Sequence, residues 1–276
     1  IPVSNRNPYG NGNALLFNLL GPDMFEVFNK LQNNRPYLQT SDMMPHHPKM
    51  FGSGSATLLS AEIASILTDL HRSGASHNDL KLENLLFPKE VNLYSFVCPY
   101  VHPPKGRHIR LIDFGNAYIS NRNNINEKIK VAVEDGNGTL AYSSPEAFSD
   151  DGYLPAHQFW ASDAWALGII VYVLHVEEAF SVDFREGGDI QDTWQNFVCR
   201  HHRDMQSMPL FKQLIHETIV ENVHFAITHA KQRGCGANVI RVLTGLLCVD
   251  PCKRMQCGEA FALLSSSIES DFISSD

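Results

Sequence analysis

The first dense apolar run, NALLFNLL (13–20), is short and continuous, which predicts a strand ended by Gly21-Pro22, a turn and helix-start signal. Met24, Val27, Phe28 and Leu31 then fall at i, i+3, i+4 and i+7 and predict one face of a short helix. Residues 33–56 carry Pro36, Pro45, Pro48, Gly52 and Gly54 and read as irregular, exposed chain. Helical spacing returns at Ile63, Ile66, Leu67 and Leu70, and Gly74 closes that helix. LLF (85–87) and HIRLI (108–112) read as two short strands around a long connecting loop. SDAWALGIIVYVLHV (162–176) is apolar on nearly every side, so it belongs in the middle of a domain, with Ser162 as its N-cap. Further helices are predicted near 207–230, 237–249 and 256–268. Strand signal is confined to about the first 115 residues, and the fold class is α+β, mainly α.

Composition narrows the function classes. A chain of 276 residues with 43% hydrophobic and 19% charged residues can bury a sizeable core. A net charge of -8 argues against a general nucleic-acid or anionic-membrane binder, since both need a basic face. No apolar run approaches the roughly 20 residues of a membrane span. The start, IPVSNRNPYG, lacks both Met and a signal pattern, and reads as a trimmed or excised segment. The six cysteines (98, 199, 235, 248, 252, 257) form no C-x-x-C pair and read as reduced thiols of an intracellular protein, cytoplasmic or nuclear. Cys248 falls in an apolar helical run, and the His pairs at 46–47 and 201–202 lack carboxylate or Cys partners, so both read as structural or surface positions rather than metal ligands.

Five short motifs carry the chemistry: HNDLKLEN (77–84), IDFG (112–115), GTLAYSSPE (138–146), SDAWALG (162–168) and DPCKR (250–254). Each alone is weak, and Asp79 alone is a turn or cap residue. Five in this order with sensible gaps are hard to obtain by chance. Together they resemble the C-terminal lobe of a eukaryotic-type protein kinase, whose signature includes H-R-D-L-x-x-x-N, D-F-G and A-P-E. The resemblance runs from about residue 13 to about 268.

What the resemblance implies is phosphoryl transfer from ATP to a protein hydroxyl, with Mg²⁺ as cofactor and ATP as co-substrate. Catalysis of that reaction is mostly positioning and electrostatic neutralisation. Asp79 is then the residue that accepts or orients the substrate hydroxyl proton, and Lys81 the fixed positive charge beside the γ-phosphate. Asn84 and Asp113 offer hard oxygen ligands suited to Mg²⁺ and the nucleotide phosphates. Leu20 presents backbone groups to the adenine edge, Phe17 guards the rear of the pocket and Leu86 forms its floor. For these three the plain alternative is core packing. His77 and Phe114 are implied as internal packing residues, Glu146 and Arg254 as a buried ion pair, and Asp163 as the anchor of the catalytic-loop backbone. Lys81 and Thr139 match the pattern of Ser/Thr rather than Tyr kinases. By the same resemblance, residues 1–20 are a remnant of the small lobe and hinge. Residues 21–276 are the large lobe, with insertions near 33–56, 88–107 and 181–206. A regulatory protein is a further expected partner.

Three departures qualify this. Asn78 stands where the family has Arg, a residue that pairs with a phosphate on the activation segment. That segment, NRNNINEKIKVAVEDGN (121–137), contains no Ser, Thr or Tyr. The two absences agree and suggest regulation independent of a phosphate there; an activating phosphate on Ser120 or Thr139 would overturn this. The residues before NALLFNLL hold no Gly-rich phosphate loop and no strand Lys, so a truncated enzyme is favoured, with a pseudokinase that binds partners without turnover as the alternative. The 88–107 insertion is similar to that of LAMMER-type kinases, whereas GTLAYSSPE is similar to calcium/calmodulin-type ones, and the subfamily stays open.

Overall fold

The structure, a computed structural model, describes residues 20–33, 53–89, 107–120, 128–130, 140–148, 153–155, 158–180 and 208–273. Among them the fold is α+β and mainly helical. Six α-helices are α1 (Met24–Asn33), α2 (Ser53–Arg72), α3 (Ala161–Val176), α4 (Met208–Gln232), α5 (Ala237–Leu246) and α6 (Cys257–Ile273). The centre is α3, as its uniformly apolar sequence requires: every residue but Ser162 is buried. Helices α2, α4 and α5 pack around it, and α6 lies across α2 and α5. Each large side chain so buried contributes roughly 1.5–3 kcal/mol, and Trp165 is the largest of the fully buried ones. Gly168 lets α5 approach, since a Cβ there would stand 2.8 Å from Leu247.

Among the described residues there are seven strands, all short. β1 (Leu20–Asp23), β3 (Leu85–Pro88) and β4 (Arg110–Leu111) form an antiparallel sheet in that spatial order, with Leu20 opposite Pro88 and Leu85 opposite Leu111. β2 (Ala75–Ser76) pairs with β5 (Tyr118–Ile119), and β6 (Lys128–Lys130) with β7 (Tyr153–Pro155). Strands therefore continue past residue 115, against expectation. Stretches of two or three residues are too short to show alternation; they are held by partner backbone and, in the last pair, by burial of Ile129 against Leu154's side of the ribbon.

Other boundaries also differ from the pattern. Gly21-Pro22 is not a turn but lies within β1, on the sheet edge and inside a register irregularity where a proline interrupts no regular ladder. A Cβ at Gly21 would come 2.9 Å from the Phe87 carbonyl oxygen, so glycine permits the close strand approach. The helix start is marked instead by Asp23, whose Oδ1 accepts from the Glu26 backbone N–H at 2.7 Å. Residues 53–56, expected to be irregular, form the first turn of α2, where Gly54 meets no neighbouring atoms. Ser162 does not cap α3: the helix begins at Ala161, and Trp160 before it is already in a helical conformation with no side-chain cap. Asp163 supplies the negative charge in the first turn. α5 ends at Leu246, which leaves Cys248 outside it, and α6 runs on to Ile273. Gly74, at φ 86, closes α2 as expected. The described cysteines (235, 248, 252, 257) are free thiols, and burial raises the Cys257 thiol pKa well above its usual value. Residues 1–19 and the greater part of all three expected insertions lie outside the described residues, as do the His pairs. No described helix is long and apolar enough to cross a membrane.

Candidate active site

The short strands place the loop 77–84 between α2 and β3. Its base is Asp163, at the start of α3. This fully buried carboxylate accepts from the backbone N–H groups of His77 (2.8 Å) and Asn78 (2.7 Å), and His71 Nε2 lies 2.9 Å from its Oδ2. A buried charge with several donors is stable where an unpaired one is not. Asp163 thus fixes the loop backbone at the point where Asn78 adopts the left-handed φ of 60. His77 is fully buried, and its Nε2 lies 2.8 Å from the Ile112 carbonyl oxygen.

The polar residues of the loop then converge. Asn84, buried within a 3-10 turn, donates from Nδ2 to the Asp79 carbonyl oxygen at 2.8 Å and lies 3.5 Å from Asp79 Oδ2. Lys81 Nζ stands 3.3 Å from the same Asp79 Oδ2, with both side chains only partly exposed (22% and 14%). Asp113 comes alongside through the backbone: the Ile112 N–H donates to the Asn84 carbonyl oxygen at 3.0 Å. Asp113 itself has φ 61, is exposed, and accepts from the Gly115 N–H through Oδ1 at 3.3 Å, which begins the following 3-10 turn. The left-handed residue of this turn is therefore Asp113, two positions before the DFG glycine, and not Gly115 itself.

Leu20 and Leu86 sit on adjacent strands, β1 and β3, both half-buried. Phe17 and Thr139 lie outside the described residues. Phe114 departs from expectation: it is 50% exposed and touches the His77 ring edge-on at 5.0 Å, rather than packing internally. Nearby Ile119 is 78% exposed. Glu146 and Arg254 do form a buried pair, bidentate at 2.5 and 2.8 Å, and the guanidinium also donates to the carbonyl oxygens of Ala161 and Cys248 and stacks 5.1 Å from the Trp165 ring centre.

The sequence reading missed several residues. His71 was passed over although it shares Asp163, and Glu62 was passed over although it is a carboxylate on an apolar helix face. Asn78 Nδ2 donates to the Asn116 carbonyl oxygen at 3.2 Å, tying the loop to the residue directly after the 112–115 motif. Glu83 keeps one buried carboxylate oxygen without a protein hydrogen bond beside Tyr142, whose hydroxyl is pushed up mainly by burial and then by the Glu83 charge.

Comparison with known proteins bears on the family of the chain. The chain is 25% identical over 213 residues to 3-phosphoinositide-dependent protein kinase 1 of Mus musculus, covering 76% of this chain and 32% of that protein. It is 24% identical over 204 residues to a calcium and calcium/calmodulin-dependent serine/threonine-protein kinase of Lotus japonicus, covering 74% of this chain and 29% of that one. The chain thus spans about a third of the length of these relatives. A crystal structure of the Rad53 kinase domain and SCD2 aligns with a TM-score of 0.48 at 16% identity, covering 88% of this chain and 61% of that one. The family described as "Protein kinase domain" matches residues 26–263, and the chain belongs to that family.

Proposed function

We propose that this chain is the large lobe of a serine/threonine protein kinase that transfers the γ-phosphate of ATP to a protein hydroxyl. In this reading residues 1–20 are a remnant of the small lobe and hinge and residues 21–276 the large lobe. The observation that carries it is the convergence of Asp79, Lys81 and Asn84 on one hydrogen-bonded turn, with Asp113 brought beside them by the Ile112–Asn84 backbone bond. The Ser/Thr assignment is supported by Lys81 and Thr139 in the sequence, and by the name of the Lotus japonicus relative.

In the mechanism, Asp79 orients the attacking hydroxyl and takes its proton through the carboxylate that Asn84 and Lys81 now hold. Lys81 offsets the charge that develops on the transferred phosphoryl oxygens. Leu20 and Leu86 line the adenine pocket from neighbouring strands. The donor set fits Mg²⁺. Asn84 commits its Nδ2 to Asp79, which leaves Oδ1 as the acceptor, and Asp113 commits only Oδ1, weakly, to Gly115. Among the described residues no group of three His, Cys, Asp or Glu side chains forms a cage. This suits an ion held by one or two side chains, substrate phosphates and water. When bound, it supplies neutralisation of phosphate charge. Asp113 and Asn84 are the residues that would hold it.

The test is phosphotransfer by the full-length protein to peptides carrying Ser, Thr or Tyr as sole acceptor, beside an Asp79→Asn variant. Transfer to Ser and Thr peptides that vanishes in the variant is expected. Equal transfer by both proteins removes Asp79 from its role, and transfer by neither supports a scaffold without turnover.

A further inference from the structure

We infer that Glu62 is a positioning residue for the metal end of this site: its carboxylate sets the register of the strand that delivers Asp113. The inference rests on the proposed metal-binding roles of Asp113 and Asn84.

Glu62 lies on α2 between the buried Ala61 and Ile63, and its side chain is only 10% exposed. A carboxylate so placed needs donors, and it finds three on the incoming chain. Oε1 accepts from the backbone N–H groups of His108 (2.5 Å) and Ile109 (2.9 Å), and Oε2 stands 3.0 Å from His108 Nδ1. The His108 side chain is itself 5% exposed. Two turns along the same helix face, Asp69 meets Arg107 at 3.0 Å, but that pair is 55–62% exposed and screened by water. Glu62 is therefore the buried anchor of residues 107–109.

Downstream the chain has little slack. Arg110 and Leu111 pair with Leu86 and Leu85, the Ile112 N–H bonds to the Asn84 carbonyl oxygen, its own carbonyl oxygen meets His77 Nε2, and Asp113 follows. A ladder of two residues specifies its own register weakly, and a slip of one residue sends alternate side chains to the opposite face. Such a slip would displace Asp113 from its place directly after the Ile112–Asn84 backbone bond. By pinning both amides just ahead of the ladder, Glu62 decides which residue begins it.

The test uses the whole chain with Mn²⁺ and a non-hydrolysable ATP analogue. Metal binding is read by water-proton relaxation well below each variant's melting temperature, with amide exchange at Ile109 and Leu111 in parallel. Glu62→Gln keeps an oxygen for both amides and is expected to bind Mn²⁺ like the wild type. Glu62→Asp, one methylene short, and Glu62→Leu are expected to lose about 10- to 100-fold, as for residues that orient metal ligands, with exchange accelerated in the same order. Asp113→Asn is the reference. If it loses Mn²⁺ while Glu62→Asp and Glu62→Leu bind normally, the inference is overturned and the site reading stands. Equal losses in Glu62→Gln and Glu62→Leu also overturn it. Should Asp113→Asn or the wild type show no difference in binding from each other, the site reading itself fails. If Glu62→Leu does not fold, the Asp and Gln variants decide the matter alone.

Discussion

Two ion pairs in this molecule are built from the same chemistry to opposite ends. Arg254 and Glu146 meet bidentately with side-chain exposures of 0% and 8%, and backbone carbonyls satisfy the remaining guanidinium donors. Lys81 and Asp79 meet through one contact of 3.3 Å, and both keep a route to solvent. The first pair has nowhere else to go. It locks the 145–148 turn against α3 and the turn after α5. The second can be rearranged by whatever binds between its partners, which suits the proton-acceptor and phosphate-facing roles proposed for Asp79 and Lys81. The fully enclosed pair reads as structure, and the pair with a route to solvent is the one proposed for chemistry.

The largest effect that could break this contrast is at Asp79. Asp79→Asn should lower the phosphotransfer rate roughly 10²- to 10⁴-fold in steady-state assays, while thermal unfolding stays close to the wild type. A large fall in melting temperature would place this pair with the structural one. Arg254→Met comes next. It leaves Glu146 buried without its partner and should cost about 3–5 kcal/mol in denaturant titrations, with part recovered when Glu146 is also replaced by an apolar residue. Failure to recover would show that the surrounding carbonyls, rather than the lone charge, dominate the cost.

A smaller effect concerns the other end of α3. Burial, then the Glu178 charge, pushes the Tyr172 hydroxyl up to about 12. The folded protein then keeps its proton where the unfolded chain, titrating near 10, releases it. Stability should therefore hold below pH 10 and decline between about 10 and 12. Tyr172→Phe should flatten that alkaline part of the melting profile, though it also loses the 3.0 Å contact with His229 Nδ1. Least is expected from Lys30→Ala. It removes an exposed i,i+4 pair with Glu26 and should change stability by only about 0.3–0.5 kcal/mol in the same titrations.

Much of this was legible in the sequence. Helices with strong 3.6-residue periodicity or uniform apolarity lie where the pattern puts them, because burial dictates both. The loop motif was readable because its residue types recur at fixed spacing: Asp79, Lys81 and Asn84 share one hydrogen-bonded turn, and Asp113 follows the Ile112 backbone bond to Asn84, while their chemical role is the one proposed for them. The illegible parts depend on distant partners. Nothing local distinguishes Ser162, which does not cap α3, from Asp23, which caps α1. β5, β6 and β7 exist only by pairing with chain far away in sequence. Glu62 stands out only as a carboxylate on an apolar helix face, and its purpose stays hidden until the residues forty-six and forty-seven positions later are seen bonded to it. Phe114 was placed inside by analogy, and half of it faces outward.

The amide that joins Asn78 to Asn116 also bears on how this chain could evolve. To bring phosphate control to the segment between 121 and 137, a lineage would need both a new hydroxyl there and a cation at position 78. A cation alone would stand without a phosphate to pair, and a phosphorylated hydroxyl alone would find no cation at position 78, so the two changes would act only as a pair.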